Sequence, residues 1–310
     1  NFSDALFYRL NYLKYLKNLP DVLAFYLIIV MMLKTYKYIN HKNPDADWVV
    51  FVHGAGGSSS IWYKQLRYFK QYFNVLLMDL RGHGNSQFKI KDSLVDKYTF
   101  DMVSQDIIEV LDAHQIPKAH FVGISLGTIL IRNIAEEHPE RVMSLILGGA
   151  IMKMNLRSRF LMRLGNITKS VVPYILLYKL FSFVIMPRKN HRKSRLLFVN
   201  EAKKLCQSEF IRWYRLTADI NPLLKLFRQK QIDIPSFYIM GEQDHLFLPT
   251  IEKITQAHKT AKLSVIENCG HVVNVEQADI FNEKVQEFIS SISPNQSNQH
   301  LENKLAHQLS

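Results

Sequence analysis

The segment Gly123-Ile124-Ser125-Leu126-Gly127 constrains this chain more than any other, because it joins the apolar run Ala119–Val122 to a helix-like stretch reaching Glu137. A strand-to-helix turn of this kind forces its central residue into a strained backbone conformation and holds that side chain exposed. The flanking glycines let strand and helix approach without a β-carbon clash. A serine hydroxyl is a poor nucleophile unless a base stands beside it, and the turn also aims the new helix's N-terminal amides at developing negative charge. With glycine at 12 of 310 positions, chance supplies only about 0.03 Gly-x-Ser-x-Gly patterns in a chain of this length.

The surroundings of the turn extend the pattern. Short apolar runs predict strands at Thr35–Ile39, Trp48–His53, Val75–Asp79, Ala119–Gly123, Val142–Leu147, Ser236–Met240 and Lys262–Ile266. Helix-like stretches fall between most of them, including Asp101–His114, Leu126–Glu137 and Asp279–Ser290. Such alternation predicts an α/β fold with a mostly parallel central sheet flanked by helices. It breaks once, where nearly ninety residues separate Leu147 from Ser236, far beyond a normal crossover, so a helical insertion is expected there. The expected division is a core over 34–150 and 234–291, an insertion over 151–233, an N-terminal segment over 1–33 and a polar tail over 292–310. No repeat of solenoid or propeller length is present.

The N-terminal segment opens with Leu6, Leu10, Leu13 and Leu16 at helical spacing and continues into the apolar run Val22–Leu33. That run is too short for a standard membrane span and lacks a small-residue cleavage site, so it is not read as a signal peptide. Only two cysteines, Cys206 and Cys269, are present. A disulfide framework and a four-cysteine zinc site are excluded, and a reducing compartment fits.

A net charge of +12 raises the question of a polyanionic partner. Between Ile151 and Asp233 stand 18 Lys and Arg against Glu201, Glu209, Asp219 and Asp233, which gives 18 − 4 = +14 and leaves 12 − 14 = −2 for the rest. Charge confined to one segment implies a local surface role. Basic amphipathic helices carrying aromatics settle on anionic membranes, so peripheral membrane contact through 151–233 is one expectation and a solvated basic face the other. Nucleic acid is not expected, because no reader motif occurs.

An activated serine needs a base and an acid to orient it, and in sheets with this turn the chain order is serine, acid, histidine. Asp244 follows the predicted strand Ser236–Met240, and His271 follows Lys262–Ile266. Strand C-terminal ends are where open parallel sheets carry their sites. Ser125, Asp244 and His271 are therefore the candidate catalytic residues, with Glu242 and His245 the nearest competitors for the acid and base. An oxyanion needs amide donors, and His53-Gly54-Ala55-Gly56-Gly57 follows an apolar strand. The amides of Ala55 and Leu126 are assigned to that role, and His53, Gly54 and Gly56 to the substrate. The glycine spacing at 54, 56 and 57 fits neither a phosphate loop nor a dinucleotide site.

These motifs, with Asp79-Leu80-Arg81-Gly82-His83-Gly84-Asn85-Ser86, resemble those of the α/β-hydrolase fold family, in a serine esterase or lipase-like form with a lid insertion. The resemblance covers about Lys34 to Ser290. It implies acyl transfer to water through an acyl-serine, with no metal or organic cofactor, and a lid over residues 151–233. It also implies that Arg81 and His83 are chiefly structural. Thr128 departs from the second glycine common in relatives. The expected function is hydrolysis of carboxylic esters, of apolar acyl or lipid-like kind, in the cytoplasm, with peripheral contact at the inner membrane surface. A thioesterase or carbon–carbon bond hydrolase would use the same triad, and a non-catalytic receptor could retain the turn.

Overall fold

The structure, a computed structural model, describes residues 33–40, 42–87, 97–168, 171–218 and 220–292. The segment 1–32, including the leucines at helical spacing and most of the Val22–Leu33 run, and the tail beyond 292 lie outside the described residues.

Seven strands form one sheet: β1 (Thr35–Tyr38), β2 (Trp48–Val52), β3 (Asn74–Met78), β4 (Ala119–Ile124), β5 (Val142–Gly148), β6 (Ser236–Gly241) and β7 (Ala261–Ile266). Their order is β1-β3-β2-β4-β5-β6-β7. Only β1 is antiparallel, pairing Thr35 with Met78. Each strand lies within two residues of its sequence prediction. β3 begins one residue earlier, at Asn74, a poor strand former. Its side chain accepts from the Asn40 amide at 2.7 Å and donates to the carbonyls of Pro44 and Ala46 at 2.8 and 2.7 Å, so it ties the preceding loop to the sheet.

The central strands are apolar on both faces because helices cover both faces. Val50 and Val52 point to one core, with α2 (Phe100–Ala113), α3 (Leu126–Glu137) and α9 (Leu248–Ala257); Val49 and Phe51 point to the other, with α1 (Tyr63–Phe69) and α11 (Ala278–Ile292). Local signals set the ends. The Thr99 hydroxyl caps α2 by accepting from the Met102 amide at 3.1 Å.

The connection between β5 and β6 carries α4 (Leu156–Thr168), α5 (Tyr174–Ile185), α6 (Arg192–Ala202), α7 (Gln207–Ala218) and α8 (Ile220–Gln229). A single-turn helix, α10 (Val273–Glu276), precedes α11. No helix of the described residues is long and apolar enough to cross a membrane.

Candidate active site

Ser125 occupies the turn between β4 and α3 with φ 54° and ψ −120°. This is left-handed backbone that a residue with a β-carbon adopts only under constraint. The constraint is close packing. A β-carbon on Gly127 would stand 2.3 Å from the Val52 carbonyl oxygen, and one on Gly123 would stand 2.8 Å from Gly127. Glycine at both positions lets α3 start directly against β2 and β4. The Ser125 amide donates to the Gly148 carbonyl at 3.0 Å, and the Thr128 hydroxyl donates to the Ser125 carbonyl at 2.6 Å. Thr128 thus adds a tie that holds the strained turn.

The loops leaving β6 and β7 bring two further groups to this point. Ser125 Oγ lies 2.9 Å from His271 Nε2, and His271 Nδ1 lies 2.7 Å from Asp244 Oδ2. A carboxylate oxygen accepts, so Nδ1–H donates and Nε2 is left to receive the serine proton. Asp244 is fully buried and His271 nearly so. Gly149, with φ 51°, is required beside the imidazole, since a β-carbon there would fall 2.3 Å from the His271 carbonyl oxygen. The Phe247 ring packs on the imidazole at 5.2 Å. Glu242 and His245 are both exposed, on the outer side of the same turn. Cys269 is buried nearby, and its burial pushes the thiol pKa up. It is therefore no competing nucleophile.

Ser125, Ala55, Leu126 and Gly54 line one cavity of about 210 Å³. The Leu126 amide is the first of α3 and has no carbonyl a turn earlier to bond. Neither it nor the Ala55 amide donates to a backbone carbonyl among the described residues. Two residues expected at the substrate do not line this space. His53 is fully buried; its Nε2 accepts from the Leu80 amide at 3.0 Å and its Nδ1 lies 2.8 Å from the Gly54 carbonyl. Both ring nitrogens are thus used to brace loops. Gly56, with φ 70°, faces Tyr178 of α5 and donates its amide to His83 Nε2 at 3.0 Å.

The Asp79–Ser86 loop is a brace of the same kind. Asp79 accepts from the amides of Ser59 and Asn85 at 2.6 and 2.9 Å. Arg81 pairs with Asp106 in the interior, where burial raises the Asp106 pKa against the opposing pull of the guanidinium. Burial holds the His53 imidazole below the ordinary histidine range and the His83 imidazole well below it, the latter with help from His53.

Residues of the β5–β6 connection also line the cavity. They include Tyr178, Phe181 and Ile185 of α5, Phe198 of α6 and Trp213 of α7. The connection docks by polar contacts that sequence reading did not find. Trp213 Nε1 donates to the Arg81 carbonyl at 3.1 Å, Tyr98 donates to Glu209 at 2.8 Å, and Ser58 donates to Glu201 at 2.6 Å. His191, fully buried, lies 2.8 Å from Gln243 Oε1, next to the acid, and against Gly270, next to the imidazole. These partners stand 50 to 145 positions apart with no motif in common, so the one-dimensional pattern carried no signal for them.

Comparison with known proteins agrees with this architecture. A family model described as the alpha/beta hydrolase fold matches residues 47–166. A protein provisionally named carbamate hydrolase RutD, from Acinetobacter baylyi, is 26% identical over 84% of this chain and 99% of its own length. The 3-oxoadipate enol-lactonase 2 of the same organism is 26% identical over 80% of this chain and 91% of its own. Among solved structures, the enol-lactonase from Burkholderia xenovorans LB400 superposes with a TM-score of 0.69 at 19% identity, covering 83% of this chain and 96% of that one. The chain has the α/β-hydrolase fold, and its likeness to these relatives supports hydrolase activity.

Proposed function

We propose that this hydrolase cleaves carboxylic esters of apolar acyl groups through an acyl-serine intermediate. The single observation that carries the reading is the hydrogen-bonded line from Ser125 through His271 to Asp244, at 2.9 and 2.7 Å, on the floor of an apolar cavity. His271 Nε2 takes the Ser125 proton as Oγ attacks the carbonyl carbon. The oxyanion forms toward the Ala55 and Leu126 amides, and the proton then passes to the departing alcohol. Asp244 holds the imidazole tautomer and stabilises the transient imidazolium. A water repeats the sequence on the acyl-serine and frees the acid.

The walls support an apolar, uncharged substrate. No Lys or Arg is among the described residues that line the cavity, and its one non-triad ionisable carboxyl is Glu201. A substrate bearing its own carboxylate would meet no counter-cation there. The enol-lactonase relative, by its name, opens a lactone, which is a cyclic ester, and so supports the bond type.

Labelling with a fluorophosphonate tests the nucleophile. The wild type becomes labelled and Ser125→Ala does not, while ester turnover falls by at least a thousandfold. Undiminished turnover in Ser125→Ala would assign the chemistry to another residue. A panel of esters of increasing acyl length then tests the pocket, with kcat/KM expected to rise beyond the shortest acyl groups.

A further inference from the structure

Residues 151–200 contain eleven cations, Lys153, Arg157, Arg159, Arg163, Lys169, Lys179, Arg188, Lys189, Arg192, Lys193 and Arg195, and no acid. The structure shows what accompanies that charge. On α4, the exposed residues Phe160, Arg163, Leu164 and Ile167 recur at i, i+3, i+4 and i+7. On α5 the same pattern returns as Leu176, Lys179, Leu180 and Phe183. Phe160 is 69% exposed, Ile167 78% and Phe183 58%, and Val171 between the helices is 86% exposed. A solvent-facing helix ordinarily turns its charged side outward. Here each outward stripe is three apolar side chains around one cation. The opposite face of α5 carries Tyr178, Phe181 and Ile185 into the cavity, so the helix presents apolar side chains on two sides, one of which faces out.

We infer that the outer face of α4 and α5 is a docking surface for an anionic phospholipid leaflet. Apolar stripes with aromatics immerse at the boundary between headgroups and acyl chains, while Arg163 and Lys179 reach the phosphates along their own aliphatic stems. Arg188 and Lys189 are exposed after α5, Arg192 and Lys193 are exposed at the start of α6, and Arg195 lies over the Phe183 ring at 4.7 Å. They extend the positive rim around the apolar patch. A second copy of the chain is the wrong occupant. Its matching face would set Arg163, Lys179, Arg188, Lys189, Arg192 and Lys193 against the same six cations, with no acid between residues 151 and 200 to answer them. A leaflet supplies both the apolar phase and the negative charge. Docked this way, α5 stands between the lipid and the cavity. That the lipid also supplies the ester rests on the proposed function; the docking itself does not.

The test uses the full chain with Ser125→Ala, so that turnover plays no part, and sedimentation with vesicles of phosphatidylcholine alone or mixed with phosphatidylglycerol. Binding is expected to the mixed vesicles, weaker to the neutral ones, and reduced by added salt. Each cation at such a surface is worth about fivefold in partition, so Arg163→Gln with Lys179→Gln should lower binding about 25-fold. Leu180→Ser with Phe183→Ser should lower it at least tenfold on both vesicle types. In the Ser125 background, both pairs should leave turnover of a soluble short-chain ester unchanged, since none of the four residues lines the cavity. No binding to the mixed vesicles, or binding that ignores both pairs, overturns the inference. So does self-association at this face, seen as a dimer that either pair dissolves while vesicles are ignored. Loss of fluorophosphonate labelling would sink the esterase reading alone.

Discussion

The sheet and the β5–β6 insertion handle polar groups by opposite rules. In the sheet and its loops, charge goes inward and is matched: Arg81 against Asp106, Asp79 against two amides, His271 against Asp244. In the first part of the insertion, residues 151–200, Lys and Arg stand without an acid among them, and Arg163, Lys179, Arg188, Lys189, Arg192 and Lys193 are exposed with large apolar side chains beside them. Buried polar groups are costly unless satisfied, so the first arrangement permits one geometry. An exposed basic and apolar face specifies little about its own packing and much about what it touches. On the proposed reading, the sheet performs the chemistry, and the β5–β6 connection chooses where, and on what, it is performed.

Substitutions can break that separation. The largest effect is expected from Asp244→Asn, which leaves the packing intact but favours the wrong imidazole tautomer. It should lower kcat by about ten-thousandfold, ~5 kcal/mol in activation energy, equally for every ester. An effect that varied with acyl length would put Asp244 in substrate choice instead. Gly127→Ala comes next, because its methyl would press on the Val52 carbonyl at 2.3 Å. A loss of about 3 kcal/mol is expected, read as a fall in Tm of roughly 6–12 °C by calorimetry. An unchanged Tm would mean that the helix can retreat from the sheet at no cost.

Phe181→Ala sharpens the comparison from the other side. It should change the ratio of kcat/KM between long and short acyl esters by about tenfold, while fluorophosphonate labelling of Ser125 proceeds unaltered. A uniform loss over the whole panel would instead make the insertion part of the chemistry. The smallest effect is on stability against pH. Burial holds both His53 and His83 below the ordinary histidine value of about 6.5. The unfolded chain therefore binds more protons below that pH, and the stability gained from two neutral imidazoles is present above about pH 6.5 and lost as pH falls. Each contributes up to ~1.4 kcal/mol per pH unit below it. Tm should hold between pH 7 and 8 and decline toward pH 5; a constant Tm down to pH 5 would show that these imidazoles titrate as they do when unfolded.

Much of the fold was legible along the chain because strand and helix periods are local. The seven apolar runs, the Gly-x-Ser-x-Gly turn, and the positions of Asp244 and His271 at strand ends could each be read from a few neighbouring residues. His53 and Gly56 misled for the same reason. They belong to the loop that bears Ala55, but which of its members face the cavity depends on Leu80, His83 and Tyr178, none of them nearby in sequence. His191, Gln243, Glu201, Ser58 and Trp213 were invisible, since each is an ordinary polar or aromatic residue until the insertion folds over the sheet.

The order of elements, the strained serine and the excess of cations in one segment were determined by the sequence alone, because backbone propensity, glycine's missing β-carbon and charge are properties of residues and their immediate neighbours. Only the tertiary structure decided that Ser125, His271 and Asp244 stand within hydrogen-bonding reach, and that α5 turns one apolar face to the cavity and the other outward. Distances between groups over a hundred positions apart, and the side of a helix left uncovered, follow from how the layers pack, which no local pattern encodes.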